Sequence, residues 1–154
     1  MSPPIPPLWR EGLAVAERAA LPYDPVFWGV GVRPGHGRPV LLIPPFMTGD
    51  ESLATMATWL RTCGYTPMRA GVGPNVACAD ALVDALADRL DEFTEPPAVI
   101  GHSRGGCLAR ALAVRRPERV AGVIALGSIR LPATQRCTRP AGRSPPSAIA
   151  AFPA

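Results

Sequence analysis

Apolar and polar positions along the chain alternate between short unbroken apolar runs and longer stretches at helical spacing. "PVLLIPP" carries a continuous run from Val40 to Ile43, the pattern of a strand buried on both faces, and two prolines end it. "LWREGLAVAERAA" places Trp9, Leu13, Ala16 and Ala20 on one side of a helix. "VFWGVGV" precedes the buried run across "RPGHGRP", a turn-rich link that predicts a hairpin or a tight connection. "TGDESLATMATWLRTCG" opens with Thr48 and Glu51 spaced as a capping box. It sets Leu53, Met56 and Leu60 on one face and stops at Gly64, as helices commonly do. "YTPMRAGV" predicts a short strand that Pro67 weakens.

"ACADALVDALADRLDEF" has the cleanest amphipathic pattern, with Leu82, Leu86, Leu90 and Phe93 opposite Asp80, Asp84, Asp88 and Asp91. "PAVIGHS" predicts a strand, "RGGCLARALAVRR" a helix and "VAGVIALGS" a further strand. Strands alternating with helices imply parallel strands joined by right-handed crossovers, so the fold class is α/β, a mainly parallel sheet with helices on both faces. After Ser128 the periodicity vanishes. The organisation expected is therefore a core over 1–128 and a disordered Arg/Pro-rich tail over 129–154.

Composition changes this picture little: 47% hydrophobic and 18% charged residues describe a globular chain. Charge changes it more. The net charge is +4, and all sixteen basic residues are arginine. Residues 1–128 balance twelve arginines against twelve acids, so the excess belongs to Arg130, Arg136, Arg139 and Arg143. Four arginines dispersed among prolines, without interleaved aromatics, do not make a nucleic-acid surface. Cys63, Cys78, Cys107 and Cys137 lack zinc-site spacing, and no metal or cofactor is expected. No signal peptide or transmembrane segment is visible, which points to a cytoplasmic protein with reduced thiols.

The candidate chemistry lies in Gly101-His102-Ser103-Arg104-Gly105, between a predicted buried strand and a predicted helix. A Gly-x-Ser-x-Gly turn at that junction presents a serine nucleophile, and the glycines remove side chains that would collide across the bend. The amides at the start of the following helix favour negative charge. Upstream, the loop in "LLIPPFMTGD" follows a buried strand at the spacing where a second donor is found. The oxyanion-hole amides expected are those of Phe46 and Arg104.

With these residues in view, the chain resembles the α/β-hydrolase superfamily in its bacterial lipase/esterase-like branch. "PVLLIPPFMTGDESLATMATWLRTCGY", "GVGPNV" and "VIGHSRGGCLARALA" carry the resemblance over roughly residues 8–128. It implies Ser103 as nucleophile, Gly101 and Gly105 as elbow glycines, and hydrolysis of a small-molecule carboxylic ester through an acyl-serine intermediate. Pro44-Pro45-Phe46 departs at one position from the Pro-Gly-Phe or His-Gly-x usual in that loop.

In that superfamily the order is serine, acid, histidine, yet after Ser103 the only acid is Glu118 and no histidine follows residue 102. His102 is adjacent to the serine and is expected to pack or hydrogen-bond beneath the elbow. His36 precedes the strand that leads to the Phe46 loop, which puts it about 17 Å away, at the other end of the sheet. The change of character at Ser128 reads as a truncated or frameshifted hydrolase. In that case the strand over 120–127 becomes an exposed, aggregation-prone edge. A catalytically inactive homologue and an acyl-ligand binding module are the alternatives to an active enzyme.

Overall fold

Four predicted strand segments become four parallel strands: Pro39–Ile43 (β1), Thr66–Arg69 (β2), Ala98–His102 (β3) and Gly122–Leu126 (β4). They were obtained in a computed structural model that describes residues 16–128. The expected tail and the first part of the N-terminal helix lie outside those residues; of that helix, residues 16–20 are described and are helical. The sheet order is β2-β1-β3-β4, with every pair parallel. β1 and β3 are interior, which is why their runs read as continuously apolar. Pro67 is tolerated because β2 lies at an edge of the described sheet, where a missing amide proton can face away from the ladder.

Helices cover both faces, as the alternation predicts. Ala54–Thr62 (α1) packs on one face, where Leu53, Ala57 and Leu60 meet Val40, Leu42 and Ile100. Ala79–Leu90 (α2) and Arg104–Arg115 (α3) pack on the other face. There Leu82, Leu86, Leu90 and Phe93 join Leu41, Ile43, Val99, Leu108 and Leu112 in the larger core. Strand alternation sorts the two sets, because odd-numbered residues of β1 and β3 face α2 and α3 while even-numbered ones face α1.

α1 ends as its glycine predicts. Gly64 takes φ 79°, its amide donates to Arg61 O and the Tyr65 amide reaches back to Leu60 O, the paired bonds of a Schellman motif. The start differs from expectation. Asp50–Leu53 form a 3-10 turn ahead of α1, capped by Gly49, and the Glu51 carboxylate accepts from the Gly49 amide rather than from Thr48. Thr48 Oγ1 instead donates to Pro45 O at 3.1 Å, which ties the loop after β1 to itself. Of the hairpin or tight connection expected across "RPGHGRP", a tight turn forms, with the Arg38 amide donating to Gly35 O, but "VFWGVGV" is no strand. Asp24 Oδ1 accepts from the Val26 amide and Pro25 opens a 3-10 turn, Pro25–Trp28, so local capping overrides β-branched and aromatic propensity.

β4 is the other edge of the described sheet. Its residues facing α1 are uncovered among the described residues, and Ile124 is half exposed. Leu86, fully enclosed between α2 and the sheet, is the opposite case. Leu86→Ala is expected to cost about 2–5 kcal/mol and to lower the urea midpoint. Val114→Ala, on the exposed side of α3, is expected to leave it unchanged.

Candidate active site

Ser103 stands between β3 and α3 with φ 53° and ψ −117°, a conformation that non-glycine residues rarely adopt. Such a residue costs about 1–3 kcal/mol and persists only where its surroundings hold it. Three contacts do so. The Ser103 amide donates to Leu126 O at 2.8 Å, while the Ser103 carbonyl accepts from the Gly106 amide at 3.1 Å and from Ser128 Oγ at 2.6 Å. Serine is a favoured helix N-cap, yet at this position its hydroxyl makes no capping bond, because the positive φ turns it away from the first amides of α3.

The two elbow glycines are explained by contact. A Cβ on Gly101 would overlap the Gly105 carbonyl, and a Cβ on Gly105 would overlap the carbonyl oxygen of Ile43. The turn is thus pressed against the end of β1, where Ile43 pairs in register with Gly101. The loop leading to Phe46 leaves β1 from this spot. Arg104, the first residue of α3, places its guanidinium over the Phe46 ring, 5.3 Å from the ring centre. Among the described residues no protein group accepts a hydrogen bond from the Phe46 or the Arg104 amide.

Two residues that sequence reasoning passed over also shape this corner. Asn75 is completely buried and its side-chain amide donates to Pro44 O at 2.6 Å. Asp50 accepts from the Gly71 amide at 3.2 Å, joining the loops that follow β1 and β2. Burial pushes the Asp50 carboxyl above its usual range, opposed by the Gly71 amide and the Arg69 charge. The signals in the sequence were the segment "GVGPNV" within the family resemblance, its turn composition at Gly73-Pro74-Asn75, and an acid at the edge of a helix.

The titratable groups that the sequence offers but argues against as partners are placed as follows. His36 is exposed with φ 52° and precedes β1, hence at the end of the parallel sheet opposite Ser103. Glu118 lies in a 3-10 turn ahead of β4, also at that opposite end. Its own backbone amide and then Arg116 hold its carboxyl below the usual range. His102 is exposed rather than packed beneath the elbow. It faces the α1 side, as Ile100 does, and lines a cavity of about 650 Å³ together with Leu53, Met56, Trp59 and Leu126. The packing expected for His102 fails because this part of the α1 face is uncovered among the described residues. Among these residues no group of three His, Cys, Asp or Glu side chains gathers to hold a metal ion, and no helix is long and apolar enough to cross a membrane.

Two predictions follow from these contacts. Gly105→Ala drives a Cβ into main-chain atoms, which cannot rotate away. It is expected to cost about 1–3 kcal/mol or more, read as a lower Tm and urea midpoint. For Asp50, a folded pKa raised above the ordinary 3.8 means that the native state holds this proton more tightly than the unfolded chain does. Stability therefore falls as pH rises from that value through the folded pKa. Asp50→Asn removes the titration, so the Tm difference, variant minus wild type, is expected to grow from about pH 4 to about pH 7 in thermal melts.

With this geometry in hand, comparison with known proteins is informative. Solved structures of similar fold include an extracellular α/β-hydrolase from a Paenibacillus species (18% identity, TM-score 0.54, covering 61% of this chain and 42% of that one). A probable hydrolytic enzyme from Pseudomonas aeruginosa matches at 22% identity and TM-score 0.54, over 62% of this chain and 34% of that one. A monoacylglycerol lipase from Paleococcus ferrophilus matches at 19% identity and TM-score 0.50, over 62% and 40%. The chain thus spans about two fifths or less of the length of these proteins. No curated protein matches the sequence. The family model of the alpha/beta hydrolase fold matches residues 62–151, which take in β2, the elbow, α3 and β4. Family model, parallel sheet and strained serine turn agree: the chain belongs to the α/β-hydrolase family.

Proposed function

We propose that this chain derives from a serine ester hydrolase of the lipase/esterase type, with Ser103 as its nucleophile. One observation carries the reading: a serine held at φ 53° between a buried strand and a helix N-terminus, its hydroxyl not spent on capping that helix. The lipase among its structural neighbours supports a small-molecule acyl ester as substrate. The expected cytoplasmic location belongs to the same proposal, although the Paenibacillus neighbour is extracellular.

In the proposed reaction Ser103 Oγ bonds to the ester carbonyl carbon and the carbonyl electron pair moves onto oxygen. The Phe46 and Arg104 amides donate to that oxyanion, an interaction worth about 3–4 kcal/mol for a single donor of this kind. Collapse of the tetrahedral intermediate expels the alcohol and leaves an acyl-serine, which water hydrolyses to the carboxylic acid. The Oγ proton must pass to a base within about 3 Å. His36 is at the far end of the sheet, His102 faces the α1 side, and no histidine follows residue 102. We therefore read catalysis by the 154 residues as impaired. The same observation favours an inactive homologue, or a module that binds an acyl ligand without turnover, as the second reading.

A fluorophosphonate probe tests the proposal. Slow labelling of the wild-type chain is expected, mapped to Ser103 by mass spectrometry, abolished by Ser103→Ala and unaffected by His36→Ala. Equal labelling of the Ser103→Ala variant overturns the nucleophile assignment. Saturable acyl-ligand binding without any labelling establishes the second reading.

A further inference from the structure

We propose that Asn75 is a positioning residue for the loop that carries Phe46, acting with the Arg104 side chain as a clamp across the elbow. The catalytic meaning of this clamp rests on the reading of Ser103 and the Phe46 amide given above; the clamp itself rests on contacts alone.

Asn75 has no exposed surface and takes φ 50°, a left-handed conformation that asparagine tolerates better than most residues. Its side-chain amide donates to Pro44 O, two residues before Phe46, across a sequence separation of 31 residues. Its side-chain oxygen is buried with no partner among the described residues. Burying an unmet acceptor is unfavourable, so asparagine here is explained by its donor and by its backbone rather than by an all-round polar fit.

Pro44 and Pro45 cannot donate main-chain hydrogen bonds, which leaves the loop few ways to be held. Its carbonyls accept instead: Pro44 O from Asn75 and Pro45 O from Thr48. The opposite side of the same corner is fastened by Arg104, whose guanidinium donates to Asn75 O at 2.9 Å and to Ala77 O at 2.5 Å while lying over the Phe46 ring. Arg104 therefore reaches the loop after β1 through Phe46 and the Asn75 segment through two carbonyls, and its own amide opens α3. Asn75 closes the circuit by gripping Pro44. A donor amide helps an oxyanion only if its direction is fixed before reaction, and this circuit fixes Phe46 relative to α3.

Asn75→Gly tests this, because glycine keeps the left-handed backbone while the side chain and its donor to Pro44 O are removed. Backbone 15N order parameters of Phe46 and Met47 in the full chain are expected to fall from near 0.85 to below about 0.6, with those of β3 and α3 unchanged. Fluorophosphonate labelling of Ser103 is expected to slow by about tenfold or more under conditions where the variant remains folded. Val76→Ala, an exposed neighbour in the same segment, is expected to change neither quantity. Unaltered order parameters at Phe46 and Met47 in Asn75→Gly overturn the clamp. Loosened residues with wild-type labelling overturn its catalytic meaning. A wild-type chain that is not labelled at all defeats the Ser103 reading instead, and the order parameters still decide the clamp. If Asn75→Gly does not fold, Arg104→Met releases the other half of the circuit and is expected to loosen the same two residues.

Discussion

A carbonyl oxygen at the end of β1 presses against the first turn of α3 so closely that no side-chain carbon fits between them. That contact, Ile43 O against Gly105, is the constraint on which the rest depends. It brings the N-terminus of α3 to the end of the sheet and forces the chain to reverse within one residue. The strained conformation therefore falls on Ser103. It also fixes where the loop after β1 departs. Strain at one residue is affordable because main-chain hydrogen bonds on both sides of Ser103 and a rigid core beneath it oppose relaxation.

Polar loops around the corner are fastened by long-range bonds as well as by local ones such as Thr48 to Pro45. Asn75 to Pro44, Asp50 to Gly71 and Ser128 to Ser103 each join segments at least twenty residues apart. These bonds converge on the ends of β1, β2, β3 and β4, where loops would otherwise be the least ordered part of a parallel sheet. Ligands of open α/β sheets bind outside the carboxyl ends of the strands, and it is these ends that the cross-links hold. The proposed chemistry would act where these cross-links gather.

The two faces of the sheet are unequal. α2 and α3 cover one face with a continuous core, whereas α1 covers β1 and leaves His102, Ile124 and Leu126 uncovered among the described residues. That inequality explains why His102 lines a cavity. It also explains why β4 alternates between half-buried and exposed positions, although its sequence reads as apolar throughout.

The sequence by itself determined the parallel α/β arrangement, the inward face of α2, the glycine that ends α1 and the serine turn between strand and helix. Each of these is a local pattern: an apolar run, a 3.6-residue period, or a glycine where a Cβ cannot fit. Tertiary structure alone decided that His102 faces the open side, whereas the Pro25–Trp28 turn and the Glu51 bond to Gly49 are local contacts that leave no hydrophobic period. It alone revealed Asn75 and the Arg104 guanidinium as parts of one corner, and Asp50 as a half-buried acid beside it. Hydrogen bonds spanning some twenty to thirty residues leave no periodic trace in a sequence. Their partners become neighbours only after the sheet has set the register of its strands.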